Sequence, residues 1–322
     1  KKFVEEDCQN VYPGPVVYAR SAFDSLHTMD EIVAFKAQGQ PFLSPAQIRA
    51  GSDLPDQMEA GANEEAEAEQ SAVAVAPKAP FWGTRIVEVP APELYPYLND
   101  KVIVTGHWSF RRGNKSPAEH EAFLQEKVYP ILEKMKRDVE AQGLLKPQVI
   151  YGYFPCQADG DTLVIYHDDC KTERMRFPMP RGGSKNLCLT DYVRPVESGE
   201  MDVLPMQIVT VGEAASEYSR KLFENDDYTD YFFFHGFAVE MAEALAEHWH
   251  RHVRYELGIT EKEQGKSGAE LLKPWAYQGC RFSFGYPACP ELSDQVKLFE
   301  LLEPGRIGIQ LTESFLLEPE QS

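Results

Sequence analysis

Apolar side chains fall at helical spacing through residues 118–142, where Phe123, Ile131, Leu132, Met135 and Val139 share one stripe. The spacing predicts one long helix. Pro130 predicts a kink or break inside it, because its ring removes a backbone donor and clashes with the preceding turn. Gly143 predicts its end. A second helical zone covers 214–257. Short apolar runs predict strands at 101–105, 148–153, 162–166, 206–212 and 307–311. The turn residues Ala158-Asp-Gly-Asp161 lie between two of these runs and predict a hairpin. Strands mixed with long helices, without regular βαβ alternation, predict an α+β fold with a mixed or antiparallel sheet.

The first 80 residues have a different pattern. Residues 14–36 read as a strand and then a helix, with Ala22, Leu26, Met29 and Val33 at helical spacing. One such pair cannot bury both its faces. Residues 1–39 therefore read as the end of a domain lying mostly before Lys1, and the chain as a fragment of a longer polypeptide. Between Gly51 and Gln70 there are seven acids and no Lys or Arg. A stretch with little to bury and like charges to separate stays extended, so 40–80 reads as a flexible acidic linker. Residues 81–322 read as globular.

Composition narrows the function classes. The chain has 322 residues, 43% hydrophobic content, a net charge of −19 and a pI near 4.9. That balance excludes a nucleic-acid binder, which needs a basic face, and disfavours an anionic membrane surface. No apolar run is long enough to span a membrane and no signal-peptide pattern opens the chain, so a cytoplasmic setting is expected. The cysteines Cys8, Cys156, Cys170, Cys188, Cys280 and Cys289 contain no C-x-x-C pair, which predicts reduced thiols and no metal site. Neither G-x-G-x-x-G nor G-x-S-x-G occurs. Gly265-Lys-Ser267 is not a phosphate loop, because Thr260 stands where the first glycine is needed.

Candidate chemistry concentrates in Arg281-Phe-Ser-Phe-Gly-Tyr-Pro-Ala-Cys-Pro290. Two prolines fix φ and one glycine frees it, so the segment reads as a rigid, shaped loop. It offers a guanidinium for a carboxylate, the aromatic face of Tyr286, and the amides of Ala288 and Cys289. A small-molecule clamp and a structural turn both fit. Asn99-Asp100 before an apolar run reads as a turn. Glu243 shares a helical stripe with Glu240 and Glu247, which by periodicity reads as a solvated face. Arg111, Arg112 and Lys115 form a basic loop, and Arg181-Gly-Gly-Ser-Lys185 pairs glycines with cations.

Ordered motifs extend the loop in both directions: Tyr151-Gly-Tyr-Phe-Pro155, Asn186-Leu-Cys-Leu-Thr-Asp-Tyr192, Asp226-Asp-Tyr228, Ala242-Glu-Ala-Leu-Ala-Glu-His248, Tyr277-Gln-Gly-Cys-Arg281, Leu301-Leu-Glu and Leu311-Thr-Glu-Ser-Phe315. Collinear over 81–318, they closely resemble the S-adenosylmethionine-binding reactivation (activation) domain of cobalamin-dependent methionine synthase. The resemblance implies that fold, with residues 1–39 as the end of a Rossmann-like cobalamin-binding domain. It implies that Arg281 holds the ligand carboxylate and that Asp100, eight residues before Trp108, and Glu243 hold the ammonium. Gly285, Tyr286 and the backbone of Ala288 would support the nucleoside.

The implied role is to position the methyl group of S-adenosylmethionine for reductive methylation of cob(II)alamin. The whole enzyme would be a methyltransferase of methionine biosynthesis and one-carbon metabolism. No residue here would be catalytic; orientation and electrostatics would do the work. Implied partners are the cobalamin domain of the same polypeptide and a flavodoxin or flavoprotein reductase. The cobalamin signature Asp-x-His-x-x-Gly is absent, so that cofactor belongs to the part before Lys1. Zinc belongs to a homocysteine domain that is also absent, so this stretch alone cannot methylate homocysteine. The family's final strand and tyrosine fall beyond Ser322. The alternative is a non-catalytic module that senses S-adenosylmethionine or docks a partner.

Overall fold

The computed structural model describes residues 76–182, 186–271, 277 and 281–319. All described residues belong to one compact unit, Glu65–Ser322. The expected strand and helix within 14–36 and the acidic run at 51–70 lie outside the described residues.

In chain order the main elements are β1 (Gly83–Glu88), α1 (Pro117–Phe123), α2 (Tyr129–Gln142), β2 (Gln148–Asp159), β3 (Thr162–Tyr166), β4 (Glu173–Pro178), β5 (Asp202–Thr210), α3 (Glu213–Glu224), α4 (Tyr228–Glu256), α5 (Gln295–Leu302), β6 (Gln310–Leu311) and β7 (Leu317–Glu318). The fold is α+β, as expected. The five-stranded sheet is antiparallel at each pairing. Its axis is β2. One edge of β2 pairs with β5, from Gln148↔Thr210 to Cys156↔Asp202. The other edge is shared by β1, from Gly83↔Tyr153 to Glu88↔Gln148, and by β3 beyond Cys156.

Alternation along β2 serves two cores. Val149, Tyr151 and Tyr153 face the helices; Ile150, Phe154 and Cys156 face α5 and the C-terminal segment. Successive side chains point to opposite faces, so a strand covered on both sides reads as an unbroken apolar run. The helix α4 buries Phe234, Phe237, Met241, Leu245, Trp249 and Val253 on its sheet-facing side. Among the described residues no helix is long and apolar enough to cross a membrane.

The hairpin at Gly160 and the helix stop at Gly143 form where expected, with φ of 58° and 63°. The kink expected at Pro130 takes the form of a π-helical stretch, Leu124–Val128, in which the Tyr129 amide reaches back to Leu124 O. The expected single helical zone is two helices, broken where Asp226 adopts φ 63°.

Two expected strands are not as read. Residues 101–105 are not a strand; Val102–His107 forms a π-helical turn. Ile103 and Val104 are both fully buried in one core. A strand would point these neighbours to opposite faces, whereas a helical turn packs both inward. The Asn99 side chain accepts the Val102 amide at 3.2 Å and starts the turn. Residues 307–311 give only β6, after a 3₁₀ turn at Pro304–Ile307.

Candidate functional site

The candidate site joins carboxylates of α4 to the segment from Arg281 to Pro290. Arg281 Nη2 donates to Glu243 Oε2 at 3.2 Å. The arginine side chain is 25% exposed and the glutamate 47%, so the pair lies open to solvent on one side. A guanidinium has five N–H donors in a planar fork. Arg281 Nε is buried without a hydrogen-bond partner among the described residues. The fork therefore has donor capacity beyond Glu243.

Behind Arg281 the packing is aromatic and charged. The His250 ring stands edge-on to Tyr277 at 4.8 Å, and Arg254 lies over the same ring at 5.3 Å. Arg254 is locked to Glu263 by a buried ion pair and donates to Ile259 O at 3.0 Å. Burial, and then the charges of Arg254 and Arg281, push the His250 titration down to about 3. Burial first, and then Glu247, push the Tyr277 hydroxyl well above its ordinary value. Both rings are neutral near physiological pH.

The loop itself is a tight turn. Gly285 sits at φ 91°, and its amide donates to Cys289 O at 2.9 Å. The Cys289 amide returns a bond to Tyr286 O at 2.9 Å, with Pro287 at the position where fixed φ favours a turn. Phe284 stacks on Phe177 of β4 and anchors the turn to the sheet. A Cβ on Gly285 would lie 3.2 Å from Leu292 Cδ1, in a backbone region that L-residues avoid. Tyr286 is 67% exposed. Of the two amides expected to face a ligand, that of Cys289 is used inside the turn, and Ala288 carries the other.

Asp100 has no hydrogen bond to Arg281 or Glu243 among the described residues, but its neighbour Asn99 contacts α4. The amide of Asn99 donates to Glu240 Oε1 at 3.3 Å, one helical turn from Glu243. Partial burial raises the Asp100 carboxyl above its usual range, against the pull of Lys136 and with a push from Glu133. Glu240 is only 6% exposed, so the solvated-stripe reading fails for it. Burial pushes its carboxyl up to about 7, against the Asn99 hydrogen bond, with further push from Glu243 and Asp100. Sequence reasoning missed the burial of Glu240. The signal was available: at about 100° per residue, Glu240 lies about 60° from Phe237 on the helical wheel, and Glu243 about 120° away.

Two cations of the remaining motifs have partners within the fold. Arg181 binds Asp191 with two nitrogens, at 2.9 and 2.7 Å, and Asp161 at 2.7 Å, so its charge is already matched. Lys115 lies 5.1 Å from the Phe123 ring. A cleft of about 310 Å³, lined by Met179, Pro180, Cys289, Pro290, Glu291 and Asp294, flanks the turn.

Comparison with known proteins identifies the family. Residues 103–322 match the family model described as vitamin B12 dependent methionine synthase, activation domain. Methionine synthase of Mycobacterium tuberculosis is 35% identical over 354 aligned positions, covering 100% of this chain. That of Mycobacterium leprae is 34% identical over 359 positions, again covering 100%. The chain spans 30% of the length of each of these relatives. The crystal structure of a MetH reactivation domain bound to AdoHcy superimposes with a TM-score of 0.68 and 29% identity, covering 77% of this chain and 79% of that one. On these matches the chain belongs to the activation-domain family of vitamin B12 dependent methionine synthases.

Proposed function

We propose that this chain binds S-adenosylmethionine and presents its methyl group for reactivation of a methionine synthase of which it is one part. The observation that carries the reading is the AdoHcy-bound neighbour of the same fold. The open Arg281–Glu243 pair supports it. A ligand carboxylate takes the unused face of the guanidinium, Glu243 and Asp100 draw the ammonium, and the Tyr286–Cys289 turn borders the nucleoside.

The sequence contains no Asp-x-His-x-x-Gly signature. The residues present therefore fit the methyl donor and not the cobalamin, which another domain of the same polypeptide would hold. That cobalamin would supply the group that accepts the methyl. The part played by this chain is to fix the sulfonium methyl in line, so its contribution is orientation and charge placement. A flavodoxin or flavoprotein reductase as electron donor, and a cytoplasmic setting, belong to the same reading.

Calorimetric titration of the 322-residue chain with S-adenosylmethionine tests it. Arg281→Ala is expected to weaken binding by roughly 2 kcal/mol, about 30-fold, as for a lost charge-assisted contact. Arg281→Lys should recover only part of this, because a point charge cannot bind a carboxylate with two parallel bonds. A folded wild-type chain that does not bind S-adenosylmethionine would overturn the reading.

A further inference from the structure

Of the three acids along the α4 stripe, Glu240 is the most deeply buried. Its carboxylate joins both ends of a separate segment. Oε1 accepts the amide of Asn99 at 3.3 Å, and Oε2 lies 3.5 Å from His107 Nε2. Asn99 and His107 bracket Asp100 and the π-helical turn Val102–His107. Gly236, one turn earlier on α4, permits the close approach: a Cβ there would lie 2.7 Å from His107 Cβ. Asp100 directly follows the gripped amide, and Glu243, one turn later on α4, contacts Arg281. The separation of Asp100 from Glu243 is thus set through Glu240.

The groups facing Glu240 are Asp100 and His107 from the bracketed segment and Glu243 from its own helix. Lys136 and Glu133 on α2 act on it at one remove, through Asp100. Asp100 and Glu243 repel an ionised Glu240. A cation arriving between those two carboxylates would reverse that balance.

We propose that Glu240 is a positioning residue for Asp100, and that it couples arrival of the ligand ammonium to release of a proton. The inference rests on the assignment of Asp100 and Glu243 to the ammonium. The buried carboxyl titrates near pH 7 in the ligand-free protein. The ammonium favours its ionised form, and the displaced proton goes to solvent. Affinity then rises as pH rises toward 7, by up to about tenfold for each pH unit by which the ligand lowers the Glu240 titration.

The test is calorimetric titration of the 322-residue chain with S-adenosylmethionine between pH about 5.5 and 7.5, in buffers of different ionisation enthalpy, so that protons released are counted. The wild type is expected to release protons near neutral pH and to bind several-fold more tightly at the upper end. Glu240→Gln is expected to bind across the range at the acid-limit affinity of the wild type and to release none. His107→Gln keeps the carboxyl and should keep the release. Titration of the ligand's own amine is common to all three and cancels.

A wild type that binds with flat affinity and no proton release overturns the coupling and leaves the site assignment standing. So does a Glu240→Gln variant that keeps the slope. Absence of binding by the folded wild type at every pH overturns the site assignment as well. If Glu240→Gln does not fold, by circular dichroism, Glu240→Leu takes its place in the same comparison, so that the ligand's amine still cancels.

Discussion

Two arginine–glutamate pairs use the same helix and differ in what surrounds them. Arg254–Glu263 is 7% and 2% exposed; Arg281–Glu243 is 25% and 47% exposed. The first is sealed beneath Tyr277 and also holds the Ile259 carbonyl. Removing either charge would leave its partner in a medium that cannot solvate it. The second faces water, where an ion pair contributes little to stability and its arginine can take a new anion at little cost. Burial thus separates a pair that fixes the chain from a pair available for exchange, although the residue types are the same.

The largest effect should come from breaking the sealed pair. Glu263→Ala is expected to destabilise the fold by about 3–5 kcal/mol in urea unfolding, because the buried Arg254 loses this carboxylate. The same cut at the open pair should behave in the opposite way. Arg281→Ala should shift unfolding by about 1 kcal/mol or less while binding falls by the roughly 2 kcal/mol given above. Comparable loss of stability in the two variants would erase the distinction.

Glu240 sits between these extremes and can be read by pH. Its folded titration is raised to about 7, so folding favours its protonated form. Its contribution is present below its unfolded range near pH 4.3 and is lost as pH rises through about 7. Glu240→Gln should therefore gain stability relative to wild type between about pH 5 and pH 8, by of the order of 1–3 kcal/mol in parallel urea titrations. A difference independent of pH would mean that the carboxyl is ionised throughout. The smallest effect concerns the turn. Gly285→Ala at φ 91° should cost about 1–2 kcal/mol, seen as a lower midpoint of thermal unfolding.

Local signals and long-range ones fared differently. Gly143, the Gly160 hairpin and the central strands were legible because each is decided by its own residues. The fold family and the meeting of Arg281 with Glu243 came through the ordered motifs, since no periodicity joins positions 38 residues apart. Val102–His107 was misread because β-branched residues favour a strand until packing demands two adjacent buried side chains on one face. The burial of Glu240 was overlooked because its membership of a charged stripe outweighed its place beside Phe237 on the helical wheel.

The two-faced strand β2 also bears on how the chain is made. Its partners are distant: Glu88 pairs with Gln148, and Gln148 with Thr210. During synthesis β2 emerges before β5 and before the C-terminal residues that cover its second face. Until they arrive, a long apolar segment has an unpaired edge, the kind of surface that seeds association between nascent chains. Slow, non-local pairing extends that interval. The yield of soluble protein should therefore depend more on chaperone supply and expression temperature than on the final stability of the fold.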